Sequence, residues 1–80
     1  MAWGVIIGPD IAAMMVTMDD DTQTLFFLTM VGLGSDPYRG RVFDSKNGDR
    51  SVPLEHLGLV IYRLNEDEQT VNIADIIWTG

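Results

Sequence analysis

The sequence contains no cysteine, and its 80 residues include a single histidine, His56. The absence of cysteine excludes a disulfide framework, a thiolate metal site and a cysteine nucleophile. One histidine cannot form a histidine cluster, so a metal centre of that kind is excluded as well. We therefore expect neither a bound metal nor a cofactor.

Positive charge is missing from most of the chain. All the Lys and Arg residues fall within residues 39–63, and they are Arg39, Arg41, Lys46, Arg50 and Arg63. Three of the twelve acidic residues share that window, so its net charge is +2 while the remainder carries −9. This separation predicts two electrostatic faces, one suited to phosphate or carboxylate groups and the other to cationic partners.

Long hydrophobic runs are absent too. The densest apolar stretch, residues 25–33, is interrupted by Thr29 and Gly32 and is too short to span a bilayer. The N-terminus lacks the charged and apolar pattern of a signal peptide. We expect a cytoplasmic protein without a membrane partner, folded as a single domain over residues 1–80.

The first half of the sequence predicts a strand and two helices. Residues 3–7 form a short apolar strand, and Pro9 suits the first turn of a helix. The helix is indicated by one apolar stripe at helical spacing, formed by Ile11, Met14, Met15 and Met18. Asp19 to Asp21 could form a metal site or supply the N-cap of the second helix. Capping is the favoured interpretation, because a calcium loop needs spaced ligands and a distal Glu.

The second helix is predicted over residues 22–33, with Gly32 and Gly34 ending it. The short connection between the helices predicts an antiparallel helical hairpin. The apolar residues of the second helix cover more than one face, so Phe26, Phe27, Met30 and Met14 cannot all pack on one small sheet. We interpret these four side chains as a partner-binding surface. A thick core or a homodimer interface is the alternative.

The second half of the sequence predicts β structure. Strands are expected over residues 41–44, 50–52, 59–64 and 70–78, with a tight hairpin at Asn47-Gly48. Alternation in the last strand would place Val71, Ile73, Asp75 and Ile77 on one face. The predicted fold class is α+β: an N-terminal strand, an antiparallel helical hairpin and an antiparallel β-meander, with the helices packed on one sheet face.

Five stretches of the chain resemble the RelE/ParE toxin family of bacterial toxin–antitoxin systems. They are residues 3–7 (WGVII), 33–40 (LGSDPYRG), 48–50 (GDR), 59–66 (LVIYRLNE) and 70–78 (TVNIADIIW). The resemblance implies an antitoxin peptide that wraps the toxin. It also implies either mRNA cleavage on the ribosome or inhibition of DNA gyrase.

The sequence departs from the ribonuclease members of that family. Leu59 stands where an Arg usually precedes the strand-end Tyr, and no basic and aromatic tail follows the last strand before Gly80. The net charge of −7 also opposes approach to RNA. We therefore interpret the chain as a degenerate, acidic member in which protein binding is the main activity.

Arg41, Arg50 and Tyr62 are the catalytic candidates that the resemblance implies, and ribonuclease action would require them to converge. Arg39, Lys46 and Arg63 are anion-binding candidates, since guanidinium and ammonium groups bind phosphate and carboxylate. The alternatives are surface ion pairs for the cations and a half-buried strand position for Tyr62. His56 could act as a general acid or base, although a lone His in a Leu-rich segment is more often structural.

A second function hypothesis starts from the acidic residues. A small phage or plasmid protein could present carboxylates to a nucleic-acid-binding enzyme and inhibit it. The clusters at Asp19 to Asp21 and Glu66 to Glu68 motivate this alternative.

Overall fold

The computed structural model describes residues 2–78, so Met1, Thr79 and Gly80, at the ends of the predicted domain, lie outside the described residues. The chain forms, in order, β1 (Gly4–Ile7), α1 (Pro9–Val16), α2 (Asp20–Ser35), β2 (Arg41–Asp44), β3 (Asp49–Leu54), β4 (Gly58–Asn65) and β5 (Thr70–Trp78). The α+β class, the order of the elements and the antiparallel meander from β2 to β5 are confirmed.

The strands form one mixed sheet with the order β1-β5-β4-β3-β2. Its parallel pair joins the first and last strands, from Gly4 opposite Thr70 to Ile7 opposite Ile73. Periodicity alone could not predict this pairing. It leaves β1 and β2 as the outermost described strands, each with one edge open to a further strand.

Local signals explain how the helices begin. Pro9 opens α1 after the extended Gly8. Asp19 caps α2 by accepting a hydrogen bond from the Thr22 N–H at 2.8 Å, which confirms the capping interpretation of this acidic triplet. The Gln23 side chain then donates to the Met15 carbonyl at 2.8 Å, fixing the start of α2 against the end of α1.

The predicted end of α2 was wrong, because Gly32 and Gly34 lie inside the helix, which continues to Ser35. Close neighbours occupy the space that a side chain would fill. A Cβ at Gly34 would lie 3.1 Å from the Trp3 carbonyl oxygen. The Trp3 N–H donates to the Gly34 carbonyl at 2.7 Å. Gly34 therefore allows β1 to approach the end of α2 closely.

The core lies between the helices and one sheet face. Its buried residues include Ile11, Phe26 and Leu33 from the helices, together with Val52, Leu54, Val60, Tyr62, Val71, Ile73 and Ile76 from the strands. None of the helices within residues 2–78 has both the length and the apolar content needed to cross a membrane.

A bulge in β5 overturns the simple alternation predicted for that strand. Tyr62 pairs with Ile73 but Ile61 pairs with Asp75, so Ala74 is an extra residue. Beyond Ala74 the faces exchange, and Ile76 rather than Asp75 joins the helix-covered side. We call the opposite side, which no helix covers, the open face of the sheet.

Candidate functional site

An apolar groove runs between α2 and the outermost strand β1. We call it the α2–β1 groove, and its volume is about 370 Å³. Its lining residues are Ala2, Trp3, Val5, Ile7, Phe27, Met30, Val31, Gly34 and Ser35. These residues carry no side-chain charge, so the groove suits an apolar rather than an ionic ligand.

The four residues predicted to bind a partner divide between the core and the surface. Phe26 has no exposed side-chain area, so its assignment to an exposed surface was wrong. Met14 and Met30 are half-buried against the core. Phe27 is 58% exposed, because successive residues of a helix point about 100° apart.

Sequence reasoning missed the other groove residues. Val31 lies one helical turn beyond Phe27 and is 50% exposed, so the two side chains form the helix wall of the groove. Trp3, Val5 and Ile7 form the strand wall. Their alternation was visible in the sequence. The outer position of β1 depends on its parallel pairing with β5, which the sequence did not indicate.

Tyr62 and Arg50 hold the connection between α2 and β2. The Tyr62 hydroxyl accepts a hydrogen bond from the Gly40 N–H and donates to the Pro37 carbonyl, both at 3.1 Å. The Arg50 guanidinium donates to the Tyr38 carbonyl at 2.9 Å and to the Gly40 carbonyl at 2.7 Å. Both side chains therefore have structural partners in this connection.

The three predicted catalytic residues do not converge. Arg41 pairs with Ser51 and Arg50 pairs with Val42, so the two guanidinium groups leave opposite faces of the sheet. Tyr62 lies on the helix-covered face and is fully buried. The expectation that Arg41 and Arg50 would be neighbours across the hairpin is corrected by this register.

The predicted anion-binding residues are dispersed as well. Arg63 lies on the open face and forms an ion pair with Asp49, and this hydrogen bond raises the pKa of the Arg63 guanidinium. Lys46 is exposed in the turn between β2 and β3. Arg39 instead covers Gly32 of α2, because a Cβ at that glycine would overlap its Nη1 atom. These cations do not form one basic site.

Tyr38 connects the groove to the far end of β4. Its hydroxyl donates to Glu66 Oε1 at 2.8 Å, and this hydrogen bond raises the pKa of Tyr38. Its ring meets the ring of Trp3 edge to face, with 5.8 Å between the centroids. Trp3 in the groove wall is therefore supported by a residue of the same connection that Tyr62 and Arg50 hold.

Two solved structures are similar to the whole described chain. One is the toxin–antitoxin complex RelBE2 from Mycobacterium tuberculosis, with a TM-score of 0.84, 16% sequence identity and coverage of 99% of this chain and 93% of that one. The other is a mutant of the E. coli toxin RelE in the free state, with a TM-score of 0.80, 10% identity and coverage of 98% and 84%. No family model and no curated protein matches the sequence.

The similarity extends over nearly all of this chain, and so the protein has the RelE-toxin fold. In this chain the fold consists of an N-terminal strand, two helices and antiparallel strands in one mixed sheet.

Proposed function

We propose that this chain is a RelE/ParE-like toxin-family protein whose main activity is to bind an antitoxin-like peptide along α2 and the edge of β1. The observation that carries the proposal is the uncharged α2–β1 groove beside an open sheet edge. One structural neighbour is a complex of a toxin with its antitoxin, which supports a partner of this class.

The groove supplies the apolar part of the proposed contact. Phe27 and Val31 expose apolar area on a small acidic domain, and such patches mark interaction sites. Met30, which also lines the groove, is unbranched and flexible, so it can adapt to the side chains of a bound peptide.

The β1 edge supplies the backbone part of the contact. The Gly4 N–H donates to the Gln69 carbonyl, so Gly4 directs its backbone groups towards β5. Since the direction of the backbone groups alternates along a strand, the N–H and C=O groups of Val5 and Ile7 point away from β5. An extended peptide can form hydrogen bonds with these groups. The partner would combine an added strand with apolar side chains that enter the groove.

Any toxic activity would act through the open face. The side chains of Arg41 in β2 and Arg63 in β4 lie on this face, and the exposed Lys46 lies in the turn between β2 and β3. Ribosome-bound mRNA and DNA gyrase are the targets that the resemblance implies. Net charge of −7 and the separation of Arg41 from Tyr62 favour protein binding over ribonuclease action as the main activity.

The alternative is an acidic inhibitor of a nucleic-acid-binding enzyme. The exposed carboxylates of Glu66, Asp67 and Glu68 in the β4–β5 turn favour it, because they are available to a basic surface. This alternative predicts binding that weakens steeply with salt. Peptide binding in the apolar α2–β1 groove predicts little dependence on salt.

The first test is growth of a bacterial host after the chain is induced alone and together with the short reading frame next to its gene. Co-purification of the two proteins is the expected result, and arrest that co-expression relieves would show that toxic activity is retained as well. If the co-expressed protein neither relieves arrest nor co-purifies with this chain, the antitoxin-binding proposal is wrong.

The binding surface is tested with F27D and the matched variant L28D. Both place a carboxylate on an exposed position of α2, but only Phe27 lines the α2–β1 groove. We expect F27D to abolish co-purification of the neighbouring gene product and L28D to retain it. Equal loss in both variants would exclude the groove as the binding site.

A further inference from the structure

The side of α2 away from the α2–β1 groove carries a second apolar position, Leu28, which is 59% exposed. Leu28 lies between two clefts. One is lined by Asp19, Asp21, Thr22, Thr24, Leu25, Glu55, His56 and Leu57, and the other by Thr29, Arg39, Val52 and Pro53. We call Leu28 with these two clefts the Leu28 surface.

The Leu28 surface has opposite charges at its two ends. Asp19, Asp21 and Glu55 make one end acidic. Arg39 makes the other end basic, and within residues 2–78 it forms no ion pair. Asp21 precedes Leu28 by seven residues, which is about 10 Å along a helix, and the Arg39 guanidinium covers Gly32, about 6 Å beyond Leu28.

We propose that a second copy of this chain binds the Leu28 surface, with the two α2 helices antiparallel and Leu28 near a two-fold axis. In that arrangement Gly32 of one copy lies opposite Thr24 of the other. Arg39, which covers Gly32, then comes within about one helical turn of Asp21 of the second copy. The two-fold axis creates this Arg39–Asp21 contact twice.

Charge complementarity favours a second copy over a foreign partner. A surface with an acidic end, an apolar centre and a basic end is complementary to itself when it is turned by 180°, as isologous interfaces require. The net charge of −7 on the whole chain makes copies repel one another in other orientations. Dimerisation through the Leu28 surface instead places Arg39, one of only five cationic residues, beside the acidic end of the second copy.

The proposed dimer is separate from peptide binding. Phe27 and Val31 line the α2–β1 groove, whereas Leu28 borders the two clefts on the other side of α2. A variant can therefore lose one interaction and keep the other. The failure of either proposal leaves the other intact.

Sedimentation velocity of the full chain from ~10 to ~500 µM tests the dimer, and this range of concentrations also detects a weak association. We expect concentration-dependent dimerisation of the wild type. L28Q, R39E and D21K should each weaken it by at least about tenfold. F27Q, the neighbouring exposed substitution, should leave it unchanged.

An equimolar mixture of R39E and D21K is the decisive sample. Each variant alone places like charges against each other at both contacts. In the mixed dimer one contact keeps the native pair of Arg39 and Asp21, and the other pairs the two substituted side chains, whose charges are opposite and exchanged. We expect the mixture to dimerise at concentrations where each variant is monomeric, with circular dichroism showing that both are folded. A monomeric wild type, or a mixture that remains monomeric, would overturn the proposal.

Discussion

The Tyr62 hydroxyl accepts a hydrogen bond from the Gly40 N–H at 3.1 Å, although the two residues are 22 positions apart in the chain. Through this contact, and through its donation to the Pro37 carbonyl, the central strand β4 fixes the path of the chain between α2 and β2. Tyr62 is fully buried, so replacement partners from solvent cannot reach either backbone group without local opening.

We predict that Y62F lowers the free energy of unfolding by about 1–3 kcal/mol, because the Gly40 N–H and the Pro37 carbonyl lose their partner in a buried setting. Thermal unfolding followed by circular dichroism measures the loss. Y38F is the control, since it removes a hydroxyl that binds the exposed Glu66 and should change the melting temperature little. Equal destabilisation by the two variants would contradict the structural role assigned to Tyr62.

Truncation of the neighbouring residues Phe26 and Phe27 should change the free energy of unfolding by very different amounts. F26A removes a fully buried ring and should cost about 3–5 kcal/mol of unfolding free energy, enough to unfold much of a domain this small. F27A truncates an exposed ring and should change it by less than about 0.5 kcal/mol. Urea titration of both variants checks the contrast, and a strongly destabilised F27A would contradict the placement of Phe27 on the surface.

Local patterns were sufficient to predict much of the fold. The apolar stripe of α1, the Asp19 cap and the presence of a turn between β2 and β3 each depend on residues close together in the chain. The tight hairpin predicted at Asn47-Gly48 was wrong, because Asp44 pairs with Asp49 and the four residues 45–48 form the turn. The α+β class followed from the order of these elements. The resemblance to a toxin family pointed to the fold that the two structural neighbours share.

Long-range relationships were not predictable in the same way. The place of β1 beside β5 depends on contacts between the two ends of the chain. The sequence does not reveal the Ala74 bulge, because several neighbouring residues on both faces of the strand are apolar. The alternation of Ile73, Asp75 and Ile77 therefore continues without a visible break. The burial of Phe26 and the exposure of Phe27 depend on the rotation of α2, which an apolar helix does not specify by pattern alone.

Two glycines that look equivalent in the sequence should tolerate alanine differently. A Cβ at Gly58 would overlap the Ile77 carbonyl oxygen, so G58A forces two paired strands apart and should cost roughly 1–3 kcal/mol or more. At Gly32 the obstructing atom is the end of the flexible Arg39 side chain. G32A should therefore preserve stability or raise it by up to about 1 kcal/mol through helix propensity. Thermal melts compare the two, and a G32A loss as large as that of G58A would contradict this geometry.

The cap of α2 should depend on pH through Asp19. The hydrogen bond from Thr22 lowers the pKa of Asp19 below 3.8, its ordinary value. Because the pKa in the folded state is lowered, the stabilisation is present above pH 3.8 and is lost as the pH falls through the folded-state pKa. D19N keeps a side-chain oxygen that can cap the helix but does not titrate in this range.

Melting temperatures of the wild type, D19N and D20N between about pH 7 and pH 2 test this dependence. The wild type and D20N, whose substituted residue lies one position beyond the cap, should lose the Asp19 contribution together below about pH 4. D19N should lose less over the same range, because its amide oxygen still accepts from the Thr22 N–H. Identical acid profiles for D19N and D20N would show that the Asp19 carboxylate does not contribute to stability through this cap.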